Sequence, residues 1–215
     1  MLKIIKTPSK TLVPLITGFM LLTALQSIAL SKEAAIIDPT ARFHPVYSQS
    51  GMVVSQEIVA SQIGADILSQ GGNAIDAAVA TGFALAVTLP RAGNLAGGGF
   101  MMIHLAEENK TIALDYREMA PSDASRDMFL DGQGDVDNQL ARFSIKSSGV
   151  PGTVAGLLHA HEQYGSLSLS KVLNPAIKIA KNGIKVTVDL SSSLASRAER
   201  LVKNKASKGY FYKSD

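Results

Sequence analysis

One arginine combines a charge suited to substrate binding with a position at the end of a predicted strand. Arg117 lies in the segment LDYREMAP, and its guanidinium offers two parallel donors that match the two oxygens of a carboxylate. An ion pair with Asp115 or Glu118 would use the same donors, and spacing alone favours that pair because surface ion pairs are common. The residues themselves leave a carboxylate clamp and a surface ion pair both open.

The other residues that could bind a metal or act as a nucleophile lack the necessary spacing. His159 and His161 fall in a predicted helix, where residues two apart point to nearly opposite sides. The acidic segment DGQGDVDN, residues 131–138, would need a carboxylate at its twelfth position to match a calcium loop, and Arg142 stands there. Cysteine is absent, which excludes thiol catalysis, Cys-based zinc sites and disulfides. No motif places a serine against a histidine and an acid. We therefore predict no metal site, and a solvated turn at 131–138.

A run of three glycines in NLAGGGFMM, residues 94–102, raises the question of phosphate binding. Phosphate loops run from a strand through glycines into a helix, whereas here a predicted helix precedes the glycines and a predicted strand follows them. Neither G-x-G-x-x-G nor a G-K-[ST] ending is present. The glycines are better explained by a turn with positive φ and by close packing against a neighbouring layer.

Alternating and helical patterns predict a mixed α/β chain. A short buried strand is expected at 51–55, and a hairpin with strands at 100–106 and 111–117 places Ile112, Leu114 and Tyr116 on one face. Helices are expected in five places. They are 57–70 with Val59, Ile63 and Ile67 on one face, 73–89 capped by Asn73 with Asp76 in its first turn, 153–164 closed by Gly165, 168–182 with a break at Pro175, and 188–202 with Leu190, Leu194 and Leu201 on one face.

The first 31 residues have the pattern of a secretory signal peptide. Lys3, Lys6 and Lys10 precede a mostly apolar stretch that is too short and too interrupted for a membrane anchor, and small residues at 29–31 suit a signal peptidase. The whole chain has a net charge of +3, but removal of this segment leaves 18 basic and 18 acidic residues. A nucleic-acid partner is therefore not expected, and the basic excess at 178–213 is interpreted as a solvated helix face.

Four segments in one order identify a family resemblance. They are GGNAIDAAVATGFALAVTLP, AGNLAGGGFM, DYREMAP and GVPGTVAG. From about residue 43 to the end, the chain closely resembles the N-terminal part of the large subunit of bacterial gamma-glutamyltranspeptidases, also called glutathione hydrolases. The resemblance implies an αββα sandwich of the N-terminal nucleophile hydrolase type, with the glycine segment packed between a buried helix and a central strand. It also implies that Arg117 binds the α-carboxylate of the glutamyl substrate, which reverses the preference for an ion pair.

The same resemblance implies how the complete enzyme works. The family is made as a precursor that cuts itself into two subunits, and the N-terminal threonine of the small subunit attacks the γ-glutamyl amide. The implied partners are glutathione or another γ-glutamyl donor, an amino-acid or peptide acceptor, and the small subunit, with no cofactor, metal, nucleic acid or stable membrane insertion. The nucleophilic threonine would lie beyond residue 215, so no catalytic residue is expected in this chain.

These inferences divide the chain into a signal peptide at 1–31 and a fragment of the large subunit at 32–215, exported to the periplasm and inactive alone. Two alternatives remain open. A related β-lactam side-chain acylase would need another group in place of the arginine clamp, and a truncated non-catalytic paralogue would bind peptides or a partner. Reading the gene downstream of Asp215 separates the truncated paralogue from a fragment, because only a fragment continues to a processing threonine.

Overall fold

The computed structural model describes residues 45–212, so the predicted signal peptide and His44 lie outside the described residues. The chain divides into two units, residues 1–47 and residues 48–215. The helices and strands of residues 45–212 all lie in the second unit, and we number them in chain order. The helices are α1 (Ile58–Ser69), α2 (Ala74–Thr88), α3 (Asn138–Phe143), α4 (Thr153–Tyr164), α5 (Leu169–Asn182), α6 (Val188–Leu201) and α7 (Lys205–Phe211), and the strands are β1 (Phe100–Leu105) and β2 (Lys110–Asp115).

Helix α2 is the centre of the helical layer and contacts α1, α4 and α5. Its buried positions are mostly small, including Ala77, Ala80 and Ala84, which allows three neighbouring helices to approach closely. Ile67 of α1 and Val172 of α5 fill the space between them and are at most 1% exposed. The buried helix that the family resemblance implies before the glycine segment is therefore α2.

Strands β1 and β2 form an antiparallel hairpin in which Phe100 pairs with Asp115 and Leu105 pairs with Lys110. Ile103 on the inner face is 4% exposed, and Met101 beside it packs against the helical core. The outer face is open to solvent, with Phe100 65% exposed. The predicted hairpin is therefore confirmed, and the predicted face of Ile112, Leu114 and Tyr116 is the half-buried face of β2 and the residue after it. The two strands form the one sheet of residues 45–212.

Three sequence predictions about these elements are wrong in detail. Residues 51–55 form no strand and are not buried, since Met52 is 52% and Val54 is 81% exposed, while Val53 packs against Gly64 of α1. Val59 is 39% exposed, because Ala60 takes its place on the buried face of α1. Pro175 does not end α5, since Val172 and Ala176 on either side of it are both buried in the core shared with α2.

The remaining helix predictions are confirmed. Helix α4 ends at Tyr164 before Gly165, and α6 begins at Val188 with Leu190 buried. The predicted turn at 131–138 is exposed over residues 131–136, where the Asp131 carboxylate accepts hydrogen bonds from the backbone N–H groups of Gln133 and Asp135, whereas Asp137 caps α3 and Asn138 begins it. No helix within residues 45–212 is long and apolar enough to cross a membrane.

Candidate functional site

Arg117 lies two residues beyond the end of β2, and its side chain is exposed. Its backbone N–H donates to the Asp115 carboxylate at 3.0 Å, which fixes the backbone at the strand end. Within residues 45–212 the structure gives the guanidinium no ion pair, neither to Asp115 nor to Glu118. The surface ion pair that spacing favours is therefore not formed, and the guanidinium donors face solvent.

The glycine segment lies against the backbone that carries Arg117. Gly99 and Tyr116 exchange two backbone hydrogen bonds of 3.1 and 3.4 Å, which extend the hairpin ladder. A Cβ at Gly98 would overlap the backbone of Arg117 and Glu118. None of the three glycines has a positive φ. The predicted close packing is confirmed, whereas the predicted need for positive φ is wrong.

The N-terminus of α4 closes on the same strand end from the other side. The Gly97 carbonyl accepts from the backbone N–H groups of Gly152 at 2.7 Å and Thr153 at 2.9 Å. A Cβ at Gly152 would overlap the carbonyl oxygen of Tyr116. The segment GVPGTVAG thus supplies a backbone surface against which the strand end packs, and the hydrogen bonds to Gly97 join that surface to the glycine segment.

Tyr116 anchors the strand end beneath α4. Its ring occupies the space where a Cβ of Gly156 would lie, and a Cβ at Gly99 would meet the same ring at 2.9 Å. Burial raises the pKa of the Tyr116 hydroxyl above its ordinary value of 10.0. The residue before Arg117 is therefore held from two sides, so the arginine projects from a fixed backbone.

Polar groups also cluster around Asp76, at the junction of α2 with the α4–α5 loop. The buried Asp76 carboxylate accepts from the Ser166 hydroxyl at 2.6 Å, from the Asn73 N–H at 2.9 Å, and from the N–H groups of Ser166 and Leu167. Burial acts to raise the pKa of Asp76, but these hydrogen bonds outweigh it and lower the pKa below 3.8. His161 Nε2 lies 3.5 Å from the carboxylate. These contacts tie the start of α2 to α4 and to the loop between α4 and α5, which indicates a structural role.

The remaining candidates do not gather into a site. Within the described part of the chain, no three His, Cys, Asp or Glu side chains come close enough to hold a metal ion. His159 is exposed, while His161 points toward Asp76. An open crevice of about 610 Å³ lies between α3 and α6, where the Arg200 guanidinium stacks 5.2 Å from the centre of the Phe143 ring. Its lining residues do not include Arg117 or the residues that pack against the strand end.

The sequence model described as gamma-glutamyltranspeptidase matches residues 60–215, which include every element described above except the first two residues of α1. The chain belongs to the gamma-glutamyltranspeptidase family. It is 50% identical over 172 residues to the glutathione hydrolase proenzyme of Escherichia coli, a match that covers 80% of this chain and 30% of that protein. The match therefore spans 30% and 29% of the length of two curated bacterial relatives, from Escherichia coli and from a Pseudomonas species.

Solved structures of the family have the same fold in this region. The gamma-glutamyltranspeptidase of Helicobacter pylori superposes with a TM-score of 0.76 at 47% identity, covering 79% of this chain and 49% of that chain. The cephalosporin acylase of Bacillus halodurans also matches, with a TM-score of 0.62 at 27% identity over 79% of this chain and 32% of that chain. The expected α/β fold class of the family is confirmed, and a cephalosporin acylase has a similar fold in this region.

Sequence reasoning missed the residues that support Arg117. Asn94, Thr153 and Gly156 occur in segments that established the family resemblance, but their contacts join positions about forty to sixty residues apart and could not be derived from local pattern. The available signal was the clustering of small residues in NLAGGG and GVPGTVAG. Small residues in two separate segments are compatible with close backbone packing between them.

Proposed function

We propose that residues 32–215 are the N-terminal part of the large subunit of a gamma-glutamyltransferase and glutathione hydrolase. The proposal is supported by the family match over residues 60–215 and by the 50% identity to a protein named a glutathione hydrolase proenzyme. Its partner is the small subunit released from the same precursor. Its substrates are glutathione or another γ-glutamyl donor and, as acceptor, water, an amino acid or a peptide.

The role of Arg117 in this function is to hold the α-carboxylate of the donor. The observation that carries the assignment is an exposed guanidinium without an ion pair among residues 45–212, projecting from a backbone fixed on both sides. Two parallel N–H donors bind both carboxylate oxygens and so fix the orientation of the glutamyl group. This places the γ-amide carbonyl against the nucleophile rather than leaving it free to rotate.

With the γ-amide carbonyl of the donor placed against the nucleophile, the reaction proceeds in two stages. The hydroxyl oxygen of the small subunit's N-terminal threonine attacks the γ-carbonyl, and the threonine's own α-amino group takes the hydroxyl proton. The C–N bond breaks, the amine leaves with a proton, and a γ-glutamyl ester remains on threonine. Water or an acceptor amine then attacks the ester and releases the threonine hydroxyl.

The complete gene product provides the test. We expect the purified precursor to cut itself into two chains and then to hydrolyse a γ-glutamyl anilide, with faster release when an amino-acid acceptor is added. The side-chain amide of a β-lactam is the comparison substrate, because a cephalosporin acylase has a similar fold in this region. Self-cleavage accompanied by β-lactam side-chain hydrolysis, and by no γ-glutamyl hydrolysis, would overturn the proposal.

Export to the periplasm is the second part of the proposal. Lys3, Lys6 and Lys10 followed by an apolar stretch are the features of the sequence that support it. Residues 1–31 fused to a reporter that folds only outside the cytoplasm should produce an active reporter, and the same fusion without residues 2–31 should not. A silent reporter in both fusions would contradict export by this segment.

A further inference from the structure

One side-chain hydrogen bond links the loop after α2 to the first residue of α4. The Thr153 hydroxyl donates to the Asn94 side-chain oxygen at 2.7 Å, and the same oxygen accepts the backbone N–H of Gly97 at 2.8 Å. The Asn94 amide nitrogen donates to the Ala92 carbonyl at 3.1 Å, which orients the side chain. Asn94 and Thr153 therefore connect the glycine segment with the helix that packs against the strand end.

The hydrogen bond between Thr153 and Asn94 connects the two segments that pack against the backbone of Arg117. The strand end is enclosed between Gly98 on one side and Gly152 on the other, and at both glycines a Cβ would overlap its backbone. The hydrogen bond from the Thr153 hydroxyl to Asn94 joins the segment that contains Gly98 to the segment that contains Gly152. A change in the spacing of those segments therefore shifts the backbone that carries the guanidinium.

We propose that Thr153, through Asn94, is a positioning residue for Arg117, an inference that rests on the proposed function. Thr153 does not touch the substrate in this account. Its hydroxyl keeps the two segments at the separation at which the guanidinium faces the α-carboxylate. Thr153 is 8% exposed, so water cannot readily replace the hydroxyl as a donor to Asn94.

The test uses the complete self-cleaved enzyme and two substrates, a γ-glutamyl anilide and the same anilide without the α-carboxylate. Thr153→Val removes the donor with little change of shape, and Thr153→Ser retains it. The matched control is Thr88→Val, since Thr88 is 6% exposed and its hydroxyl has no hydrogen-bond partner among the described residues. Each variant is made in the wild-type and in the Arg117→Ala background.

We expect Thr153→Val to lower kcat/KM for the carboxylate-bearing anilide roughly two- to tenfold, the factor for one lost neutral hydrogen bond. The loss should appear mainly in KM, because carboxylate binding is weakened in the ground state and the transition state alike. The anilide without the carboxylate should be unaffected, Thr153→Ser should restore the wild-type value, and Thr88→Val should match wild type. In the Arg117→Ala background, Thr153→Val should add nothing, because residues acting through one contact are not additive.

Two results would overturn the inference while leaving the proposed function intact. One is an equal loss for both anilides, which indicates a general structural effect. The other is a full additional loss from Thr153→Val in the Arg117→Ala background. If Arg117→Ala itself leaves discrimination between the anilides unchanged, the assignment of Arg117 fails, and the role of Thr153 fails with it.

Discussion

Asp76 and Arg117 are two charged residues with opposite surroundings. Asp76 is 0% exposed, and its carboxylate accepts hydrogen bonds from three backbone N–H groups and one hydroxyl. Arg117 is exposed, its backbone is enclosed by glycines, and its guanidinium has no ion pair among residues 45–212. The protein surrounds one charge with its own donors and holds only the backbone of the other.

The difference indicates which charge maintains the fold and which is available to a ligand. A buried charge is tolerated only when its hydrogen-bonding capacity is satisfied internally, so removal of Asp76 leaves buried donors without a partner. An exposed guanidinium on a fixed backbone makes little contribution to folding. Because its backbone is already ordered, less conformational entropy is lost when it binds a ligand. Substitutions at the two residues should therefore separate stability from activity.

The largest effect on stability is expected for Asp76→Ala. Because the substitution leaves several buried donors unsatisfied, we expect the free energy of unfolding of the complete enzyme to fall by about 3 to 5 kcal/mol. Chemical denaturation followed by circular dichroism measures it. The control is Asp66→Ala on the exposed side of α1, which should change the free energy by no more than about 0.5 kcal/mol. Equal stability of the two variants would remove the distinction between Asp76 and an ordinary surface acid.

A methyl group at Gly156 should affect both stability and substrate binding. The Cβ of Gly156→Ala would overlap the Tyr116 ring, and relieving that overlap should cost about 1 to 3 kcal/mol of stability. Movement of Tyr116 also displaces Arg117, so KM for the γ-glutamyl anilide should rise. Gly132→Ala is the control, because nothing lies within 4 Å of a Cβ there. A Gly156→Ala enzyme with wild-type stability and KM would show that Tyr116 is not a tight support.

The smallest of these effects is expected in the pH dependence of the free energy of unfolding. The pKa of Asp76 is lowered below 3.8 in the folded protein, so its carboxylate contributes stability that is present above the unfolded pKa and is lost as pH falls through the folded pKa. The difference in unfolding free energy between wild type and Asp76→Asn should therefore shrink below pH 3.8. The same series in a His161→Gln background removes the imidazole that lies 3.5 Å from the Asp76 carboxylate. If the difference in unfolding free energy between wild type and Asp76→Asn stays constant throughout the acid range, the Asp76 carboxylate does not stabilise the fold through its lowered pKa.

Local pattern predicted α1, α2, α4, α5, α6 and the hairpin because their signals are contained in short windows, but it did not predict the short helices α3 and α7. The Asn73 cap with Asp76 in its first turn marked the start of α2, and alternation in TIALDYR marked the faces of β2. Segment 51–55 was wrongly predicted as a buried strand, because a short apolar run does not show whether a partner strand is present. Pro175 was predicted as a break because local propensity does not include the tertiary burial on both sides of it.

The site was predictable only in part for the same reason. Arg117 could be selected from its residue type and its position at a strand end, and resemblance supplied a role for it. The enclosure by Gly98 and Gly152, and the bond from Thr153 to Asn94, depend on contacts between segments distant in sequence. No periodicity encodes those contacts, so they required the folded arrangement.

Binding of the substrate α-carboxylate by Arg117 is tested by comparing Arg117→Lys and Arg117→Ala in the complete enzyme on anilides with and without the α-carboxylate. Lysine keeps the charge but loses the paired donors, and a lost hydrogen bond to a charged group costs about 1.5 to 3 kcal/mol. We expect kcat/KM for the carboxylate-bearing anilide to fall roughly tenfold to hundredfold, with little change for the other anilide. Self-cleavage should persist, because the scissile peptide bond of the precursor has no free α-carboxylate to hold. Normal self-cleavage together with wild-type kcat/KM for the carboxylate-bearing anilide in both variants would contradict the account.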